Sequence, residues 1–237
     1  MVAPHRRLIP LFAILGLSLA PILAQKPSGA VDLQRLQALR VGDGFTLAAV
    51  GDVISSDCLA GLQDRAFKEV IGLLEGADVS FGNLENTLID LAAFSGYPQA
   101  ESGGAHLIGS PAIAPDLRRL GFDLMSRANN HTMDWGVEGM RATDRAASEA
   151  GIVHAGTGNT LGAARAASYL QTPKGRMALV AMATTFTPLS AAGHPLGRVP
   201  GRPGINVLRL TPSLIVTPEM MAGLKKIHDA LPAGFLE

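Results

Sequence analysis

The chain has 237 residues, and its 20 basic and 20 acidic side chains give a formal charge of zero at neutral pH. This balance argues against nucleic-acid binding by counterion release and against a polybasic membrane contact, so partners are expected at a specific site. The single cysteine, Cys58, excludes an intrachain disulfide and is expected to be a small buried hydrophobic residue. The length suits one sizeable domain after an N-terminal leader.

Residues 1–24 have the layout of a secretory signal peptide. Arg6 and Arg7 form a positive start, an apolar run covers residues 8–19, and Ala24 supplies the small residue expected before a cleavage site. We expect cleavage after Ala24 and export to the periplasm, the cell envelope or the extracellular space. An uncleaved membrane anchor is the alternative, although the apolar run is shorter than the roughly 20 residues of a membrane-spanning helix.

The predicted domain covers residues 45–237, after an N-terminal segment over residues 25–44 that is expected to pack loosely. The apolar run 45–50 is short and stops at Gly51, which favours a buried strand. A helix follows, and residues 77–81 form a second predicted strand. The helical spacing is carried by Phe67, Val70, Ile71 and Leu74, with Gly76 as the stop.

The alternation of strand and helix then repeats. The predicted elements are a helix over 113–120 that ends at Gly121, a strand over 122–126, a helix over 137–150 that ends at Gly151, and a strand that starts at 152–154. Short apolar strands that alternate with amphipathic helices predict βα units with parallel strands and right-handed crossovers. The predicted fold class is therefore α/β.

The remainder of the chain is predicted to be less regular. It is expected to contain a helix over 160–169, a hairpin that joins 167–172 to 177–183, a Pro- and Gly-rich loop or lid over 187–204, and a helix over 218–230.

Polar side chains follow three successive predicted strands. They are Asp52 after the first strand, Asn83 and Glu85 after the second, and Asn130, His131 and Asp134 after the third. Ligands of parallel α/β sheets gather at the carboxyl ends of the strands, so these side chains are expected to lie close together. Carboxylate, amide oxygen and imidazole are suitable ligands for divalent Mn, Fe or Zn, and two such ions would polarise a phosphoryl oxygen.

Each of these residues also has a plainer explanation. Asp52 alone is typical of a turn or helix cap, Asn129 and Asn130 are common in capping positions, and His131 alone is more often structural. Turn chemistry does not readily explain three successive strand ends that all carry ligand-type side chains, and this joint pattern favours a site.

The motifs themselves resemble one known family. The motifs are Ala-Val-Gly-Asp52-Val, Phe-Gly-Asn83-Leu-Glu85, Ala-Asn-Asn130-His131-Thr-Met-Asp134-Trp-Gly136 and Gly156-Thr-Gly158. They resemble the CapA family of capsule and poly-γ-glutamate synthesis proteins, which are related in fold to the calcineurin-like metallophosphoesterases. The resemblance implies a sheet sandwich flanked by helices and a dinuclear metal site.

The resemblance also implies a role for each residue. It places Asp52, Asn83, Glu85 and Asn130 as metal ligands, His131 as the group that contacts the phosphate or protonates the leaving group, and Asp134 as the carboxylate that orients His131.

The chain departs from the family pattern in two places. Ile54 stands where the superfamily has a histidine. After His154 only His194 and His228 remain, and neither lies in a histidine motif of the family's second half. The chain is therefore expected to lack the C-terminal half of the family fold.

Three hypotheses about the function stay open. The first is an exported metal-dependent phosphoesterase-like protein of capsule or envelope polymer metabolism, with a polymer or phosphoester substrate. The second is a non-catalytic envelope protein that binds a polymer or a partner and lacks a complete metal site. The third is a truncated product that does not fold stably, because an incomplete sheet exposes an unpaired edge. Under all three, no nucleic-acid partner is expected, and contact with the membrane is expected only during export.

Overall fold

The structure is a computed structural model that describes residues 40–100 and 106–232. The predicted signal peptide over residues 1–24 and most of the predicted N-terminal segment lie outside the described residues. None of the described helices is long and apolar enough to cross a membrane.

The first half of the described chain alternates strands with helices. In chain order it contains β1 (Leu47–Val53), α1 (Arg65–Glu75), β2 (Val79–Leu84), β3 (Thr87–Leu88), β4 (Ile108–Gly109), α2 (Ile113–Arg119), β5 (Leu124–Ser126), α3 (Gly136–Glu149) and β6 (Val153–Ala155). The strands β1, β2, β5 and β6 form one sheet in that order, and all three pairings are parallel. The predicted α/β fold class, with a parallel sheet flanked by helices, is confirmed.

The second half of the described chain has shorter elements. They are β7 (Thr157–Gly158), α4 (Leu161–Arg165), β8 (Ser168–Thr172), β9 (Gly175–Leu179), β10 (Gly204–Ile205) and α5 (Pro218–Ala230). The strands β8 and β9 form the predicted hairpin, with Thr172 opposite Gly175. The predicted helix over 160–169 was too long: the backbone of Ala166 is extended, because this segment enters the hairpin.

Two glycines end helices as the sequence predicts. Gly121 and Gly151 have positive φ values of 96° and 79°, which glycine adopts without the steric cost that a Cβ would bring. After α3, the amide of Ile152 donates to the Ala147 carbonyl and the amide of Gly151 donates to the Ser148 carbonyl. This hydrogen-bond pattern is that of a Schellman cap, and it turns the chain from α3 into β6.

Among the described residues, the core has two separate clusters. The first joins β2 and β5 to the helices α1, α2 and α3; its buried residues include Leu74, Leu84, Leu117, Met125 and Ala147. The second contains mainly small side chains: Ala128, Ala155, Ala181, Ala183, Ala191, Ile205 and Val207. The prediction that Cys58 is buried was wrong, because its side chain is exposed and its Sγ lies 3.5 Å from the Ala112 carbonyl oxygen.

Candidate functional site

Asp52 and Asn83 lie within the first two strands and not after them, whereas Glu85 directly follows β2. The strand β1 extends beyond the predicted stop at Gly51, through a register irregularity between Ala49 and Asp52. Asp52 then pairs with Asn83 of β2, so the two residues are direct neighbours across the sheet. This register brings an aspartate and an asparagine together at the carboxyl edge.

Asn83 joins two carboxylates. Its Nδ2 donates to Oδ1 of Asp52 at 2.8 Å and to Oε1 of Glu85 at 3.2 Å. Asp52 is exposed, whereas Glu85 is 8% exposed. The amide group of Asn83 therefore connects a solvent-facing carboxylate to a buried one.

The buried carboxyl group of Glu85 has a raised pKa. Removal from water is the main cause, and the negative charge of nearby Asp52 adds to it, while His131 and the hydrogen bond from Asn83 act in the opposite direction. Glu85 therefore holds a proton more readily than an ordinary glutamate does.

Asn129, which comes shortly after β5, connects this strand end to Asn83 and Leu84 of β2. Its Nδ2 donates to Oδ1 of Asn83 at 3.1 Å and to the Leu84 carbonyl at 3.0 Å. Its Oδ1 accepts from the amide of His131 at 3.1 Å. Oγ1 of Thr132 lies 2.8 Å from the same oxygen and 2.6 Å from the Arg127 carbonyl, so its one hydroxyl proton is shared between them. Both N–H groups and the oxygen of this amide are therefore partnered inside the protein.

Asn130, the predicted ligand, lies outside this set of contacts. Its side chain is exposed, and among the described residues it is Asn129 that enters the hydrogen-bonded cluster. Sequence analysis treated Asn129 only as a capping residue. The pair Asn129-Asn130 gave no local signal to separate the two roles, because only the path of the chain after β5 decides which amide turns inward. The ligand role of Asn130 stays a prediction.

His131 and Asp134 form the predicted pair. The His131 Nδ1 lies 2.8 Å from Oδ2 of Asp134, whose side chain is 6% exposed, whereas the His131 side chain is 21% exposed. A carboxylate bonded to one ring nitrogen fixes the ring orientation and leaves the other nitrogen available for proton transfer. This geometry suits His131 for acid–base chemistry, with Asp134 as a positioning residue.

Arg127 is an important residue that sequence analysis missed. It follows β5 directly and is fully buried. Its Nη1 donates to the Leu84 carbonyl at 2.7 Å, and its Nε donates to Asp144 of α3 at 3.2 Å. The available signal was an arginine directly after an apolar strand, and a charge that is buried at such a position has to be paired. Arg127 holds the ends of β2 and β5 together beneath the cluster.

The described side chains do not fit the predicted dinuclear metal centre. Within residues 40–100 and 106–232, no group of three or more His, Cys, Asp and Glu side chains is arranged to hold a metal ion. Asp52 and Glu85 are suitable ligand types, but Asn83 presents its NH₂ group to both of them. The metal stays a prediction from the family resemblance.

Comparison with known proteins identifies the family. Two uncharacterized proteins of Sinorhizobium fredii, y4uA and y4sH, are each 52% identical over 204 residues, which is 86% of this chain and 44% of theirs. The capsule biosynthesis protein CapA of Bacillus anthracis is 26% identical over 148 residues, which is 58% of this chain and 36% of that protein. The chain thus spans less than half the length of these relatives. Residues 46–228 match the family model described as bacterial capsule synthesis protein PGA_cap. The chain therefore belongs to the PGA_cap family of bacterial capsule synthesis proteins.

Proposed function

We propose that this chain is part of an exported protein of capsule, poly-γ-glutamate or other envelope polymer metabolism, and that the cluster at the carboxyl edge of its sheet is a hydrolytic site. In this cluster Asn83 and Asn129 join the ends of β1, β2 and β5, with His131 beside them. The single observation that carries the proposal is the His131–Asp134 pair, at 2.8 Å, next to the Asp52–Asn83–Glu85 group.

The proposed chemistry is hydrolysis of an ester or phosphoester bond in an envelope polymer or in a polymer precursor, in which water is added across the bond that breaks. His131 donates a proton to the leaving group through its Nε2, while Asp134 holds the ring by its Nδ1. Asp52 is exposed at the same edge and accepts a proton from the attacking water. Asn83 holds the Asp52 and Glu85 carboxyl groups in place through its two N–H bonds.

The test is hydrolysis of a generic aryl phosphodiester and of an aryl ester by the purified protein, with and without Mn²⁺. We expect His131→Ala to lower kcat by about 10²–10⁴-fold, the usual contribution of a positioned acid–base group. Asp134→Asn is expected to shift the pH profile of kcat, which a purely structural role would leave unchanged. Turnover that is unaffected by His131→Ala would contradict the proposal.

The two neighbouring asparagines provide a matched control. We expect Asn129→Ala to reduce activity, because Asn129 connects Asn83 to the His131 backbone. Asn130→Ala is expected to leave activity nearly unchanged, because its side chain is exposed outside the cluster. The reverse result would support the ligand role that the family resemblance implies for Asn130.

A second candidate is a non-catalytic protein that binds the polymer. It is favoured by one observation: Asn83 presents hydrogen-bond donors, and not a ligand oxygen, to the two carboxyl groups. A folded protein that binds poly-γ-glutamate in a sedimentation assay, but shows no turnover with or without Mn²⁺, would favour this candidate.

A further inference from the structure

The orientation of the Asn129 amide group is set by two backbone groups. Its nitrogen faces the Leu84 carbonyl, which only accepts hydrogen bonds, and its oxygen faces the His131 N–H, which only donates. The reversed amide would place N–H against N–H and oxygen against oxygen. Because side-chain amide orientations are assigned from such neighbours, the Asn129 orientation follows from the fold itself.

The orientation of Asn83 follows from that of Asn129. The second N–H of Asn129 points at Asn83 over 3.1 Å, and an NH₂ group has no lone pair with which to accept. The facing atom of Asn83 must therefore be Oδ1, and its Nδ2 must face Asp52 and Glu85. This agrees with its distances of 2.8 Å and 3.2 Å to those carboxyl oxygens.

A cation between Asp52 and Glu85 would meet the two N–H groups of Asn83. To offer Oδ1 as a ligand, Asn83 would have to turn its Nδ2 toward the Nδ2 of Asn129, whose own rotation is blocked by Leu84 and His131. Hard divalent cations are bound by oxygen atoms, and an amide NH₂ offers none.

We infer that Asn83 is a fixed hydrogen-bond donor that takes the place of a divalent cation between Asp52 and Glu85, and that this one residue decides whether the pair binds metal. Replacement of Asn83 by aspartate keeps an oxygen to accept from Asn129 and turns the second oxygen toward Asp52 and Glu85. Three carboxyl groups then converge, which is a ligand set for Mn²⁺. This inference deepens the proposed function, since it concerns the same site, but it does not depend on turnover.

The test is Mn²⁺ titration of the full chain by calorimetry. The Tm is also measured with and without Mn²⁺ at about 1 mM, which is near the dissociation constants of the weakest extracellular Ca²⁺ sites. For the wild-type protein we expect no saturable heat and no rise in Tm. For Asn83→Asp we expect a lower metal-free Tm, because three carboxyl groups repel one another, and a rise in Tm with Mn²⁺ through linkage to the folded state. The binding constant should improve at least tenfold, and the double variant Asp52→Asn, Asn83→Asp should lose this gain.

Two results would overturn the inference. One is stoichiometric Mn²⁺ binding by the wild-type protein that Asp52→Asn abolishes. The other is a folded Asn83→Asp protein with no gain in Mn²⁺ affinity. Where Asn83→Asp does not fold, Mn²⁺ binding by the wild-type protein that Asp52→Asn abolishes still overturns the inference. Failure of the proposed function is separate, because it appears in the hydrolysis assay and leaves the metal titration unaffected.

Discussion

The strand β2 and the helix α5 both carry apolar residues in the pattern of their element, yet their surroundings differ. On β2, Val79 and Leu84 are at most 1% exposed; the strand lies between β1 and β5, and Leu84 packs in the first core cluster with residues of the helices. On α5 no residue is buried, and four large apolar side chains are more than half exposed: Met220, Met221, Leu224 and Ile227. An apolar pattern thus predicts an element and the face that benefits from burial, but it does not identify the partner that buries the face.

In the candidate site, too, the residue types do not identify the partner of each polar side chain. The contacts of Asn83 with Asp52 and with Asn129 form because β1, β2 and β5 end side by side, and these partners come from distant parts of the chain. The carboxyl edge of the sheet is therefore expected to respond strongly to substitution, and α5 weakly. Three predictions each compare a buried, partnered side chain with an exposed one, in order of decreasing effect.

The largest effect is expected from Arg127→Ala. The substitution removes a fully buried side chain and leaves the Leu84 carbonyl and the partly buried Asp144 without their partner, so the free energy of unfolding should fall by about 3–5 kcal/mol. Denaturant unfolding measures the loss. The control is Arg141→Ala, whose exposed guanidinium contacts Asn159 and should cost under about 1 kcal/mol. Equal losses would show that burial at the carboxyl edge has no special role.

The second prediction compares two leucines directly. Leu84→Ala removes a fully buried side chain from the first core cluster and should lower the free energy of unfolding by about 2–5 kcal/mol. Leu224→Ala on α5 should stay within about 0.5 kcal/mol, because its side chain is exposed. Both values come from denaturant unfolding. A loss above 2 kcal/mol for Leu224→Ala would mean that α5 is buried in solution by a partner or by a second copy of the chain.

A smaller, pH-dependent effect is expected at Asp116 of α2. Burial alone would raise the pKa of Asp116, but hydrogen bonds from the Leu59 and Ala60 amides and from Arg119 outweigh it, so its folded-state pKa lies below the usual value. The carboxylate therefore stabilises the fold above the unfolded-state pKa, and this stability is lost as the pH falls through the folded-state pKa. Asp116→Asn should cost about 1–2 kcal/mol at neutral pH.

The pH series is the decisive measurement for Asp116. The gap in Tm between the wild-type protein and Asp116→Asn should begin to narrow below about pH 4, near the pKa of an unfolded aspartate, and should close as the pH falls through the lower folded-state pKa. Asp90→Asn, at an exposed loop position, is the matched control and should show almost no gap at any pH. A gap that persists in acid would assign the effect to packing and not to charge.

The sequence by itself determined the local features of this protein. Periodicity predicted the alternating strands and helices, and Gly121 and Gly151 predicted two helix ends, because these signals depend on residues within one or two turns. Three polar strand ends in a parallel α/β pattern predicted one shared edge. The pairing of His131 with Asp134 was also predictable, since the two residues lie three positions apart.

Only the tertiary structure decided how the polar groups face one another. The extension of β1 to include Asp52, the choice of Asn129 over Asn130, and the burial of Arg127 depend on how β1, β2 and β5 lie against each other. The direction of the Asn83 amide is set through Asn129 by the Leu84 carbonyl and the His131 amide, which are backbone groups with no sequence signature. Side-chain type is written in the sequence, but whether an amide group donates or accepts at a given point is fixed by neighbours that only the fold brings together.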